Sequence, residues 1–185
     1  MGALRKKDPT RATPVSGKNL AVLLIDMQPF YIRNLYKGDN KRITQAQIEI
    51  IHQCVRKSIP LIVVETVGEK DYGETSEVLL QAARSVPGPI LVKKPGASAF
   101  FETELYEVLH KLSVDTLLLM GIEASACVKM TAQDAIRYGY SIITASNLIA
   151  ENPRRWGKRL PLGSIVDKSW YRRNGKLWET PIIIT

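Results

Sequence analysis

The chain has 185 residues, 45% hydrophobic and 24% charged, a composition that suits one globular domain with a sizeable core and excludes a disordered chain. No window approaches the roughly 20 uninterrupted apolar residues of a membrane span, and no signal-peptide core follows the basic N-terminus, so the expected location is cytoplasmic with no membrane partner. The formal net charge of +8 sits at the ends, where residues 1–18 carry five Lys/Arg against one Asp and residues 151–185 carry eight against three; the nearly neutral middle argues against nucleic acid as a partner.

Residues 1–18, with Arg5, Lys6, Lys7 and Arg11 beside Pro9 and Pro14, read as a flexible basic arm ahead of a single domain over 19–185. The domain opens with the apolar run Leu20 to Ile25, followed by a loop from Pro29 to Asn40 and a helical pattern over Gln45 to Lys57. Apolar runs at Leu61 to Val64, Pro89 to Val92, Thr116 to Met120 and Tyr140 to Thr144 then alternate with helical patterns over Thr75 to Arg84, Glu102 to Leu112 and Ser125 to Tyr138. Unbroken apolar runs are expected where a strand is buried on both faces, so this rhythm predicts parallel βαβ units covered by helices on both sides. Beyond Ala150 comes a basic segment with Trp156, Trp170, Tyr171 and Trp178. Asn174-Gly175 between aromatic, basic runs predicts a hairpin, with Trp170 and Trp178 as cross-strand packing or a subunit contact, and Pro181 to Thr185 offers a final strand.

Open parallel sheets carry their chemistry beyond the carboxyl ends of strands. Asp26 ends the first strand, Lys94 follows the third, and Cys127 lies six residues beyond Gly121, where the next helix starts. Alone, Asp26 reads equally as a turn cap and Lys94 as a solvated loop charge. Cys127 in a helix's first turn feels the positive end of the dipole, which favours thiolate and predicts a depressed pKa. Cys54, inside an amphipathic helix, reads as core packing, and the wide separation of the two cysteines suits reduced thiols.

Together the stretches AVLLIDMQPFY, VKKPGASAF and MGIEASACVKMTAQDA resemble the three signature segments of the isochorismatase-like cysteine hydrolases, a family that includes nicotinamidases and N-carbamoylsarcosine amidases. The resemblance spans about residues 19–150. It implies an α/β fold, a three-layer αβα sandwich with a mostly parallel six-stranded, Rossmann-like sheet. It implies Asp26, Lys94 and Cys127 as a catalytic triad, backbone amides of Glu123 and Cys127 as the oxyanion hole, and a cis peptide between Ile122 and Glu123. Gln28, Phe30, Phe100, Ile122 and Ala124 are the expected pocket residues.

Four departures stand out. Ala124 replaces a common Thr and Ala97 a common aromatic, both opening space near the thiol, and Asn147 replaces a common Asp. Nicotinamidases further carry an Asp-x-His pair and another His as metal ligands, whereas this chain has only His52 and His110, both within helical patterns. The expectation is therefore hydrolysis of a C–N bond in a small amide through a thioester, with no metal, no cofactor and a homo-oligomeric (dimer or tetramer) assembly. Relatives that cleave the vinyl ether of isochorismate replace the cysteine, which makes that reaction the rival. A non-catalytic interaction protein on the same fold, or a basic adaptor using its cationic termini, are the readings outside enzymology.

Overall fold

The computed structural model describes residues 12–68, 70–154, 160–161 and 163–185. Its strands are β1 Thr13–Val15, β2 Leu20–Ile25, β3 Leu61–Thr66, β4 Ile90–Lys94, β5 Thr116–Ile122, β6 Ser141–Ala145, β7 Ile149–Ala150, β8 Lys176–Trp178 and β9 Ile182–Ile184. Its helices are α1 Pro29–Ile32, α2 Lys37–Lys57, α3 Glu77–Arg84, α4 Leu105–Lys111, α5 Cys127–Arg137 and α6 Lys168–Asn174. The main sheet runs β4-β3-β2-β5-β6-β8, and β7 adds to the end of β5 as a seventh strand. Every neighbouring pair is parallel.

The apolar runs have the expected cause. All six residues of β2 are buried because β2 lies mid-sheet with a helical layer on each face. On one face Ile43, Ile51 and Cys54 of α2 and Leu79 and Ala83 of α3 meet Val22, Leu24 and Met120. On the other, Leu105 and Leu109 of α4, Val128 and Ala132 of α5, and Tyr171 of α6 meet Leu23, Ile25 and Leu119. Burying a Leu, Ile or Val fully stabilises by about 1.5–3 kcal/mol, so these two clusters are the main favourable term in the fold.

Three expectations need correction. The stretch Pro29 to Asn40 is not one loop: α1 starts at Pro29, whose fixed φ suits a first helical turn, and α2 begins at Lys37, eight residues before the predicted start. The basic arm does not reach Lys18, because β1 pairs with β9 in a separate two-stranded parallel sheet; residues 1–11 lie outside the described residues. Asn174-Gly175 is not a hairpin turn. Residues Lys168–Asn174 form α6, and β8 then joins β6 in parallel, with Leu177 opposite Thr144. A Cβ at Gly175 would stand 2.4 Å from Ile142 Cγ1, so glycine is there for the close passage of the chain over β6. Trp170 accordingly sits on α6 and Trp178 on β8, and Trp156 is outside the described residues.

This architecture sets the expected result of truncation. Deleting Met1 to Arg11 should leave the melting temperature almost unchanged. Deleting Ser169 to Thr185 removes the buried Tyr171, Leu177, Ile182 and Ile184, a loss on the order of 8 kcal/mol at about 2 kcal/mol each, comparable with a domain's whole stability. A soluble, cooperatively melting truncation at Lys168 would contradict this.

Candidate active site

The strand order reverses between β2 and β5, the place where an open parallel sheet puts its chemistry, beyond the carboxyl ends of those strands. Asp26 follows β2 directly with φ 53°, a left-handed conformation that Asp tolerates better than most side chains. Gly121 lies opposite Ile25 in the ladder, and a Cβ there would stand 2.0 Å from the Ile25 carbonyl oxygen. Only glycine lets the two strand ends run this close. Five residues past β5, Cys127 begins α5, with its amide among those that a helix's first turn leaves without an intrahelical acceptor.

Lys94 ends β4, two strands from Asp26, yet its side chain crosses the end of β3 to reach the carboxylate. Lys94 Nζ lies 2.8 Å from Asp26 Oδ2, and both side chains are 0% exposed. The aligned hydrogen bonds of the ammonium go to Thr66 Oγ1 at 2.8 Å and to the Gly96 carbonyl at 2.9 Å, while Thr66 Oγ1 donates to Asp26 Oδ1 at 3.0 Å. The contact at Oδ2 is thus an ion pair without a well-aligned hydrogen bond. The Cys127 thiol interacts electrostatically with the same carboxylate and with Lys94. The structure therefore brings Asp26, Lys94 and Cys127 into one cluster.

Electrostatics correct the expected thiolate. Burial pushes the Cys127 thiol up to about 12, the Asp26 carboxylate raises it further, and Lys94 offsets only part of this. The dipole of α5 cannot outweigh desolvation beside a carboxylate. Burial likewise raises Asp26 above the ordinary carboxylate range, with Lys94 and the thiol pulling the other way. Both shifts favour a neutral thiol beside a carboxylate that is itself a better base than usual.

With the geometry in view, the wider comparison is decisive: the model of the Isochorismatase domain matches residues 20–160. The chain belongs to the isochorismatase family. It is 27% identical over 164 residues to nicotinamidase 3 of Arabidopsis thaliana, spanning 79% of this chain and 77% of that one. It is 32% identical over 79 residues to maleamate amidohydrolase of Pseudomonas putida, 43% of this chain but only 37% of that enzyme. Among solved structures, the N-carbamoylsarcosine amidase from Thermoplasma acidophilum superposes with a TM-score of 0.69 at 20% identity, covering 89% of this chain and 98% of that one. That likeness confirms the α/β fold.

In this isochorismatase-family protein the Ile122–Glu123 peptide is cis, as the resemblance implied. The expected pocket residues fare unevenly. Phe30 is half-buried in an aromatic cluster with Tyr31 and Tyr72, at ring distances of 5.2 and 4.9 Å. Gln28 lines a cavity beside Thr66, and its amide is held by backbone, donating to the carbonyls of Thr66 and Gly73 and accepting from Thr66 N. Phe100 packs on Tyr138 with ring centroids 5.2 Å apart, in the core cluster against which Cys127 also packs. Ile122 and Ala124 are each 0% exposed, in the clusters on opposite faces of the sheet, and present no surface to a ligand. His52 and His110 lie exposed on α2 and α4, away from the cluster.

Sequence reading missed two participants. Thr66 bridges Asp26 and Lys94, and the signal was available: it is a polar residue at the carboxyl end of an apolar run, as Asp26 is. Tyr31 lies beside Thr66, and burial together with the nearby Asp26 and Cys127 pushes its phenol well up. Nothing in the local sequence pattern signals this.

A raised thiol makes a specific prediction. Cys127 alkylation by iodoacetamide should accelerate by about tenfold per pH unit from pH 7 to 10 without levelling, because the thiolate fraction is still rising. Cys54, also raised to about 12 and 0% exposed, should react more slowly throughout. A plateau below pH 8 would show that the thiol is depressed after all.

Proposed function

We propose that this protein hydrolyses a carbon–nitrogen bond of a small neutral or anionic amide through a thioester on Cys127, without metal or cofactor. The observation that carries the reading is the fully buried Asp26–Lys94 pair, electrostatically coupled to the thiol that begins α5. Family membership supplies the hydrolase context, and the amidohydrolase names of its relatives favour amide bonds.

Each step has a residue placed for it. As the sulfur attacks the carbonyl carbon, the thiol proton passes to Asp26, whose raised pKa suits a base that must later act as an acid. Lys94 keeps the site's charge balanced while negative charge moves from the carboxylate to the substrate oxygen. The backbone amides of Glu123 and Cys127 are the proposed donors to that oxyanion. Collapse of the tetrahedral species breaks the C–N bond, and Asp26 returns the proton to the leaving amine. Water then attacks the thioester, gives its proton to Asp26, and the acid leaves as the thiol is reprotonated.

The test is an assay of the purified full chain on primary amides, ureido acids and isochorismate, with trapping of the acyl-enzyme by mass spectrometry after rapid acid quench. Release of ammonia or amine, with the acyl mass on Cys127, is expected. Turnover of isochorismate alone would replace this reading with vinyl ether hydrolysis.

A further inference from the structure

We infer that Tyr171, supplied by the atypical C-terminal segment, is a positioning residue that fixes the turn carrying the nucleophile; the inference rests on the reading of Cys127 as that nucleophile. Residues 123–126 join β5 to α5, and a turn of this kind has no ladder of its own to hold its peptide groups. Here the Ala124–Ser125 peptide is held at both polar ends. Its carbonyl accepts from Tyr171 Oη at 2.5 Å, and its N–H donates to Glu151 Oε2 at 3.0 Å. The preceding amide, Ala124 N, donates to the Ala150 carbonyl at 2.8 Å.

The Tyr171 hydroxyl has no competing water, since the residue is 1% exposed and shares a core cluster with Ala124. Burial, with Glu151 and Asp167 nearby, pushes the phenol well above its ordinary range, so it remains a donor. The same helix is tied to the other side of Cys127. Lys129 Nζ lies 2.8 Å from Asp167 Oδ2, and it stands 5.5 Å over the Trp170 ring. Positions three before and two after the thiol are therefore both fastened to one element, α6 and its N-cap Asp167.

The physical consequence concerns charge as well as geometry. An unheld carbonyl at Ala124 is free to rotate, and its negative end repels any thiolate or oxyanion that it faces. Rotation of that peptide also displaces the Cys127 amide, two peptide units farther along the chain. A hydroxyl aimed at the carbonyl prevents both. Catalysis is sensitive to such displacement, because donors must be in place before charge develops.

Tyr171→Phe removes the donor and keeps the ring. In the full chain, the variant should melt within a few degrees of wild type, with kcat on any amide that wild type turns over lowered about tenfold and KM little changed. The pH profile of Cys127 alkylation, with Cys54 as internal reference, should shift relative to wild type. Should the Phe variant not fold, Glu151→Gln loosens the same peptide from its N–H side and is expected to give the same two effects. A folded variant whose kcat and alkylation profile both coincide with wild type overturns the inference, even if its melting temperature falls, since that is the mark of packing alone. If wild type turns over no amide, the proposed function fails separately, and the alkylation profile still decides the role of Tyr171.

Discussion

Cys127→Ala should lower amide turnover by about 10⁴-fold or more while leaving the fold intact, because it removes the proposed nucleophile of the acyl intermediate. The side chain is half-buried at the start of α5 and shaving it to Ala leaves the Asp26–Lys94 pair in place. Asp26→Asn should come close to the same loss for a different reason. An amide cannot take the thiol proton during attack or return one to the leaving amine. Measured kcat should collapse in both variants, yet in Asp26→Asn the Cys127 thiol should alkylate faster at neutral pH, because the carboxylate that holds its pKa up is gone while Lys94 remains. Full activity of Cys127→Ala on isochorismate, with no amide ever turned over, would show that the chemistry is not acyl transfer.

The second large effect is on stability. Lys94→Met deletes the cation beside a carboxylate that has no exposed surface. Breaking a buried pair by removing one partner costs about 3–5 kcal/mol, because the remaining charge is left uncompensated. The carboxyl can escape that cost by taking a proton. Asp26 is already raised by burial with Lys94 present, and without the cation it rises further above its unfolded value. A folded-state pKa above the unfolded one favours the fold below the unfolded pKa and loses that benefit as pH rises through the folded pKa. The deficit of Lys94→Met in urea melts should therefore shrink as pH falls from 8 towards 4. Asp26→Asn with Lys94→Met should recover stability at neutral pH while remaining inactive. If the single variant lost the same stability at every pH, the loss would be one of packing, and the charge argument would fail.

The order of strands and helices, and the positions of Asp26, Lys94 and Cys127 at strand or helix ends, were legible in the sequence for one physical reason. A strand buried on both faces must be continuously apolar, so β2 and β5 announce themselves, and so do the polar residues just beyond them. Thr66 escaped because the run Leu61 to Val64 was read as the whole strand. The ladder in fact continues, with Glu65 and Thr66 paired to Lys93 and Lys94. Asn174-Gly175 misled because turn propensity is a local preference. Burial of Tyr171 and the parallel pairing of Lys176 to Trp178 with β6 supply more than that preference can.

What the sequence by itself determined is the family, the βαβ frame and the identities of the three clustered side chains, since each follows from patterns local to a few residues. Only the tertiary structure decided that the thiol rests protonated, that Gln28 serves the backbone, and that Tyr171 reaches Ala124. Each of these depends on desolvation or on a contact between segments tens of residues apart. A thiol's proton affinity is set by what surrounds it in space, and Asp26 comes to surround Cys127 from a hundred positions away only once the sheet has formed.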